Sequence, residues 1–229
     1  MQKIAPDSGK PDRVAILANG QLTDMVRARQ QIQAADCLIC ADGGTQHALR
    51  LGVVPDIVVG DLDSIAPELK AELEAAGVRF ETYPTRKDQT DLELALRLAV
   101  ELGASHVDLL ATLGGRLDQS LANLLLLTQA AWVGVTVRVV EGAETAWIVR
   151  GGQTTCVEGA GGDTLSLVPL TPQVSGVNLE GVEWPLCNAT LHMGSTLTIS
   201  NCLAGPSACV QVGEGLVLVV HRSVAGDPG

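Results

Sequence analysis

Positive charge is scarce in this sequence. Lys and Arg number 15 against 26 Asp and Glu, a formal charge of −11. The basic footprint of a non-specific nucleic-acid binder is therefore missing, and an anionic substrate would need local cations or a metal ion. No apolar run approaches the roughly 18 residues of a membrane helix, and the opening MQKIAPDSGKPDR is polar where a signal peptide has an apolar core. These features point to a soluble, cytoplasmic protein with neither membrane nor nucleic acid among its partners. Aromatic residues are only 2% of the 229, yet 46% are apolar, which is enough for a sizeable core and too many for disorder. A disulfide framework is not expected, because six cysteines in a chain of this length without a secretion signal read as reduced, buried thiols. Cys37 and Cys40 form a CxxC, but no second pair follows at zinc-finger spacing. Cys156, Cys187, Cys202 and Cys209 lie among apolar and turn residues and read as structural too.

What is present falls into two rhythms. From Arg13 to about Gly142, short β-branched runs alternate with segments of helical spacing. RVAILAN, CLICAD, PDIVVGD, VRFETYP, HVDLLATLG and TVRVVEG read as strands. TDMVRARQQIQAA reads as a helix opened by a Thr23 cap, GGTQHALRLG as a second, and PELKAELEAAG as a third with Pro67 in its first turn and Gly77 at its end. TDLELALRLAVELG and LDQSLANLLLLTQAAWVG supply two more. Such alternation predicts βα units on a mostly parallel, Rossmann-like sheet. After about Thr145 the runs become short and strand-like, separated by turn residues, with no helix of useful length: TAWIVR, QTTCV, TLSLVPL, GVNLEGV, STLTIS, ACVQV, GLVLVV. The expected organisation is an α/β domain over 1–145 followed by an all-β sandwich or barrel over 146–229.

In an open α/β sheet, ligands sit at the carboxyl ends of the strands, and the unusual polar residues cluster there. Asp42-Gly43-Gly44 follows CLICA and precedes a helix; it suits close backbone approach to a phosphate, or a tight turn with Asp42 as a cap. Asp61 and Asp63 follow PDIVVG. On an extended backbone the two would face the same side with Leu62 turned inward, and two converging carboxylates favour a bridging magnesium ion. The alternative has Asp63 or Ser64 capping the next helix. Arg86-Lys87-Asp88-Gln89-Thr90-Asp91 leads into the amphipathic helix, where Thr90 and Glu93 fit a capping box. That box does not need Asp88, Asp91, Arg86 and Lys87 as well; such a mixture suits a metal-bound polyphosphate, while whether the basic pair reaches it stays open. Gly114-Gly115-Arg116-Leu117-Asp118-Gln119 gives another glycine pair, with an arginine that can hold phosphate oxygens and an Asp118 that could equally cap a helix. Four such junctions on one sheet edge are much harder to ascribe to chance than any one of them.

ADGG, PDIVVGDLDS, DQTDLELAL and LGGRLDQSLAN, in that order, resemble the nucleotide-domain motifs of the thiamin pyrophosphokinase family, and the resemblance continues through GDTLSLVPL, GVEWPL and STLTISN. It implies transfer of the terminal pyrophosphoryl unit of ATP to the hydroxyl of thiamin, releasing AMP, with Mg2+. Nothing in composition or spacing reveals thiamin. By motif, Asp61, Asp63, Asp88 and Asp91 resemble the acidic metal and catalytic centre. Asp42, Gly43, Gly44, Arg116, Asp118 and Gln119 resemble its nucleotide-binding neighbours, with Asn19, Gly20 and Asn123 in the same cleft. Trp184 resembles the aromatic residue on which thiamin stacks, and Ser200-Asn201 the pair beside the ring; on its own Trp184 reads as a core residue of a small β domain. The resemblance also implies a homodimer with the thiamin site shared between subunits.

The chain departs from the family pattern at Leu62 and Leu117, where relatives often carry Phe, at Gln89 and Gln119, often His, and at Cys202, where an acidic residue is common. A pyrophosphokinase for another heterocyclic alcohol such as a pterin, a non-catalytic nucleotide- or thiamin-binding protein, and a magnesium phosphohydrolase are the competing readings. Trp132, Trp147 and the four histidines carry no expected chemistry.

Overall fold

The apolar runs of the first half become a six-stranded parallel sheet. In the computed structural model, residues 2–3, 10–63, 65–84 and 88–224 are described; Ser64, Arg86 and Lys87 lie outside them. Two compact units divide the chain, Met1–Glu141 and Gly142–Gly229.

In the first unit, β1 (Arg13–Leu17), α1 (Met25–Gln33), β2 (Cys37–Ala41), α2 (Gly44–Arg50), β3 (Ile57–Gly60), α3 (Pro67–Ala75), β4 (Arg79–Thr82), α4 (Asp91–Leu102), β5 (His106–Leu110), α5 (Leu117–Leu126) and β6 (Thr136–Glu141) follow one another. The strand order is β6-β5-β1-β2-β3-β4, every pair parallel. All residues of β2 and β3 are buried, as are Val14–Leu17 of β1, which is why these strands read as continuous apolar runs rather than alternations. Edge strand β4 has no fully buried residue. One face is sealed by Ala28 and Ile32 of α1, Ala48 of α2 and Leu73 of α3 against Ala15, Leu17, Leu38, Cys40 and Val58. Helix α4 packs on β1, β2 and β3 without sharing that cluster, so it covers the opposite face. The chain winds outward from β1 to β4, then returns through α4 to lay β5 on the other side of β1. This reversal places the switch point, where ligands gather, at the carboxyl end of β1.

Local chemistry fixes the helix ends, with some differences from the sequence reading. Thr90 caps α4, its hydroxyl accepting from the Glu93 N–H at 3.2 Å. Helix α1 is capped by Asp24, not Thr23: the Asp24 carboxylate accepts from the Arg27 N–H at 2.9 Å. Helix α5 ends at Leu126, well short of the expected span, and a 3-10 turn over Ala130–Trp132 follows. The buried Trp132 indole donates to the Leu126 carbonyl at 2.8 Å, satisfying one of the helix's terminal acceptors. Among the described residues no helix is long and apolar enough to cross a membrane.

The second unit is built from antiparallel strands: β7 (Glu144–Arg150), β8 (Thr154–Glu158), β9 (Thr164–Pro169), β10 (Gln173–Glu180), β11 (Leu186–His192), β12 (Asn201–Cys202), β13 (Ser207–Gln211) and β14 (Leu216–Arg222). Strands pair in the orders β12-β9-β14-β7 and β8-β13-β10-β11. Both groups feed one core: Leu165, Leu167, Val217 and Val219 from the first meet Val174, Val177, Leu179, Leu191 and Val210 from the second. The alternating burial of β9 and β10 shows one face inward and the other toward solvent.

The cysteine expectation needs correcting. Cys156 and Cys209 are directly opposed on β8 and β13 and form a disulfide across 53 residues of sequence. Such a pairing depends on strand register, which spacing along the chain does not disclose. Cys37 and Cys40 are buried free thiols, the former pushed up to about 12 by burial, whereas Cys187 is exposed and Cys202 partly so.

Candidate active site

The carboxyl ends of the first unit's strands surround a cleft of about 530 Å3. Its walls come from the loops after β1, β2, β3, β4 and β5. The β1 and β5 loops are fastened together by backbone bonds, from Ala18 N–H to Leu110 carbonyl (2.9 Å), Gly20 to Ala111 (2.6 Å) and Gln21 to Leu113 (2.7 Å). A side chain at Gly20 would strike the Leu113 carbonyl, and one at Gly44 would overlap that of Leu17. Gly44 is thus required where the buried start of α2 meets the end of β1, and neither Gly43 nor Gly44 lines the cleft. Their conspicuous pairing in the sequence is explained first by packing.

Acidic groups converge at one end of the cleft. The Asp42 N–H donates to the Val59 carbonyl at 2.8 Å, and this link from β2 to β3 brings Asp42 to Asp61 and Asp63. A carboxylate oxygen from each lies within 4.8 Å of the others. The expected extended geometry at Asp61-Leu62-Asp63 is not what unites the latter two. Strand β3 ends at Gly60, and Leu62 adopts a left-handed φ of 64°, packing its side chain against the core while the chain turns. Within the turn the Asp63 N–H donates to Asp61 Oδ1 at 3.3 Å. The negative charge of Asp61 above all, then the hydrogen bond to it, burial, Asp42 and Asp91, raises the Asp63 pKa above its ordinary value. Asp91, at the start of α4, lines the cleft with Asp42, Asp61, Gln89 and Thr90; Asp63 and Asp88 are exposed and do not. Neither Asp42 nor Asp63 caps a helix, since α2 and α3 are capped by Gly43 and Ala66. An all-oxygen donor set that raises a member's pKa fits a hard divalent cation such as magnesium.

At the opposite wall Gly114, Gly115, Arg116 and Gln119 line the cleft with Asn19 and Asn123. Arg116, the residue before α5, holds Asp118 through Nε to Oδ1 (3.1 Å) and an Nη to Oδ2 (2.6 Å). Asp118 also accepts from the Gln119 N–H at 2.9 Å. These contacts lower the Asp118 pKa, the guanidinium contributing most. Asp118 itself does not line the cleft; it orients the guanidinium that does. Asn123 turns inward, its amide donating to the Thr112 carbonyl at 2.7 Å.

In the second unit Trp184 is 58% exposed, which removes it from the core. Asn201 is only 5% exposed and its side chain is fully engaged. Oδ1 accepts from the Trp184 N–H (3.1 Å) and the Cys202 N–H (2.9 Å), and Nδ2 donates to the Trp184 carbonyl (2.8 Å). Ser200 has a left-handed φ of 60° and donates its N–H to the Ser166 hydroxyl at 2.9 Å. Only the family resemblance singles out the tryptophan and the asparagine; on its own residues the sequence reads Trp184 as core. Neither shows that one holds the other.

A parallel α/β unit whose acidic cleft lies at its switch point, joined to an antiparallel β unit, defines the class: a two-unit α/β and β protein with the ligand-site placement typical of open sheets. Sequence models narrow it further. Residues 28–139 match the model described as thiamin pyrophosphokinase, catalytic domain, and residues 155–217 match that of thiamin pyrophosphokinase, vitamin B1 binding domain. The chain belongs to the thiamin pyrophosphokinase family. It is 29% identical over 185 residues to the thiamine pyrophosphokinase of Bacillus subtilis strain 168, covering 81% of this chain and 86% of that one. The crystal structure of a Bacillus subtilis thiamine pyrophosphokinase superposes with a TM-score of 0.80 at 27% identity, covering 93% of this chain and 99% of the other. That of the Geobacillus thermodenitrificans enzyme gives 0.77 at 28% identity, with 92% and 97% covered.

Proposed function

We propose that this protein is a thiamin pyrophosphokinase, transferring the pyrophosphoryl group of ATP to the hydroxyl of thiamin to give thiamin diphosphate and AMP. The observation that carries the reading is the acidic cleft at the switch point of a chain matched along both units by models of this family. The thiamin oxygen forms a bond to the β-phosphorus of ATP. The bond from that phosphorus to the oxygen bridging it to the α-phosphate breaks with its electrons going to AMP, and the hydroxyl proton passes to a carboxylate.

Asp42, Asp61 and Asp63 would hold Mg2+, with Asp91 beside them and Asp88 at the rim of the same loop. A bound magnesium ion supplies charge neutralisation for the polyphosphate. The rest falls to the chain's own groups. Arg116, oriented by Asp118, presents a planar donor to phosphate oxygens. Gly114 and Gly115 allow close backbone approach, and Asp42, Asn19, Gly20, Gln119 and Asn123 form the surrounding nucleotide subsite, with Gly43 and Gly44 serving it through their close packing on Asn19 and Leu17. Asp61 or Asp91 receives the hydroxyl proton. Positioning and electrostatics of this kind dominate phosphoryl transfer.

Trp184 offers the thiazolium and pyrimidine rings an exposed aromatic face, with Ser200 and Asn201 beside it. Two further features suit a homodimer with a shared thiamin site. Leu117, Leu121 and Leu125 expose an apolar stripe along α5, and Leu197 and Ile199 are exposed in the second unit, surface that a second copy would cover. A Rossmann-like first domain over 1–145, a sandwich-type second domain over 146–229 and a cytoplasmic location complete the reading.

The test is to incubate the protein with ATP, Mg2+ and thiamin and to identify the nucleotide product. AMP equimolar with thiamin diphosphate is expected. ADP or free phosphate in its place overturns the reading, as does activity with a pterin alcohol but not thiamin.

A further inference from the structure

His47, to which the motifs assign nothing, is buried in the middle of α2 and does not line the cleft. Its Nε2 lies 2.9 Å from the carbonyl oxygen of Gly20, which does line it. A carbonyl oxygen can only accept, so the ring hydrogen sits on Nε2 and is donated to Gly20. Nδ1 is buried with no hydrogen-bond partner among the described residues. The Gly20–Gln21 peptide is thereby held at both ends, its carbonyl by His47 and its N–H by the Leu113 carbonyl at 2.7 Å. The flanking side chains fit against glycines on the same two sides: a Cβ at Gly43 would overlap the Asn19 amide, and one at Gly114 the Gln21 side chain. Asp42 is fastened to the same helix as His47, its carbonyl accepting from the Thr45 N–H at 3.1 Å and the Thr45 hydroxyl at 3.0 Å. The stretch Asn19–Gln21 thus bridges α2, which follows Asp42, and the β5 loop that carries Gly114, Gly115 and Arg116.

We propose that His47 is a positioning residue of the nucleotide cleft: its bond from Nε2 to the Gly20 carbonyl fixes the β1 loop between the acidic wall and the wall of Gly114, Gly115 and Arg116, and so sets the spacing between them. The inference rests on the reading of that cleft as the ATP site. A part-buried carbonyl that loses its donor keeps the cost of having left water. Without His47 the Gly20 carbonyl would regain a partner by turning toward solvent, and a glycine has no Cβ to resist the turn. Asn19 and Gly20, both lining the cleft, would then leave their places. A donor on the neighbouring helix holds this permissive peptide in one orientation, and it does so without touching substrate.

Calorimetric titration of Mg·ATP into wild type, His47→Gln, His47→Asn and His47→Leu tests this, with thermal melting run on each protein. A glutamine amide nitrogen can take the place of Nε2, whereas the shorter asparagine reaches only to that of Nδ1 and leucine carries no donor. The Gln variant is expected to bind within about threefold of wild type, and the Asn and Leu variants about tenfold more weakly. The KM for ATP should follow the same order while the KM for thiamin stays unchanged. Wild-type affinity in a folded Asn or Leu variant, a Gln variant as weak as Leu, or affinities that follow the melting temperatures and not the presence of the donor, overturns the proposal. So does loss of folding in both the Asn and Leu variants, which would make His47 a residue of the core alone. Failure of folded wild type to bind Mg·ATP overturns the reading of the cleft and this inference with it.

Discussion

The buried side chain of Asn201 grips the backbone of the exposed Trp184 from both directions, accepting from its N–H at 3.1 Å and donating to its carbonyl at 2.8 Å. Seventeen residues separate the two in sequence. Pinning both peptide groups of Trp184 in this way fixes the backbone from which the exposed indole projects, which lowers the entropic cost of stacking a ligand on it.

Asn201→Ala should therefore raise the KM for thiamin about tenfold or more with a smaller change in kcat, because three backbone groups, the Trp184 N–H and carbonyl and the Cys202 N–H, lose their partner. Asn201→Asp keeps the acceptor but loses the donor and should fall between. Steady-state kinetics with thiamin varied, alongside a melting curve, checks this. An unchanged KM in a folded Ala variant would show that Trp184 does not depend on the clamp.

The clustering of Asp42, Asp61 and Asp63 predicts a response to divalent ions. Because Asp61, with Asp42 and Asp91 beside it, raises the Asp63 pKa, repulsion in the folded state is present above that pKa and relieved below it. A bound cation should relieve it at neutral pH as well. Mg2+ is expected to raise the melting temperature at pH 7.5, the increment shrinking in Asp61→Asn and Asp42→Asn, whose turnover should fall by roughly a thousandfold. Scanning fluorimetry with and without EDTA, followed by the AMP assay, provides the comparison. Asp88→Asn, changing a residue that does not line the cleft, should lose less.

Gly44→Ala tests the packing explanation of the glycine pair. The added methyl group would overlap the Leu17 carbonyl oxygen, so the start of α2 must shift away from β1 at a cost of about 3 kcal/mol. Urea denaturation should show the loss whether or not nucleotide is present. A variant of wild-type stability that fails only in ATP binding would return Gly44 to the phosphate subsite.

Asp163 predicts the acid response of the second unit. It is 1% exposed. Burial alone would raise its pKa, but the N–H groups of Ala160 (3.0 Å) and Val224 (2.8 Å) and the His221 ring (3.0 Å) outweigh it, and the pKa is lowered. With a folded pKa below the ordinary value of about 3.9, the stability it contributes is complete above about pH 4 and is lost as the pH falls through the folded pKa. Asp163→Asn should cost about 2–3 kcal/mol at pH 7, and its gap from wild type should narrow toward pH 3. Denaturant melts at both pH values measure the gap.

Much of this molecule was determined by local sequence. Continuous apolar runs such as CLICA mark strands buried on both faces, and Thr90 ahead of an amphipathic repeat fixes where α4 begins. Acidic and glycine-rich residues following each strand mark the edge of the sheet where the cleft lies. All of these follow from side-chain periodicity and backbone preference within a few residues of the chain.

Only the tertiary structure decided which of those residues meet. Parallel register sets Ala41 beside Val59, so the Asp42 carboxylate joins those of Asp61 and Asp63, while Asp88, equally acidic and equally near a strand end, stays outside that cluster. The same holds for Cys156 opposite Cys209 and for Asn201 beneath Trp184. Register and loop approach are set by packing between segments tens of residues apart, a sum over many weak contacts that no short stretch of sequence encodes alone.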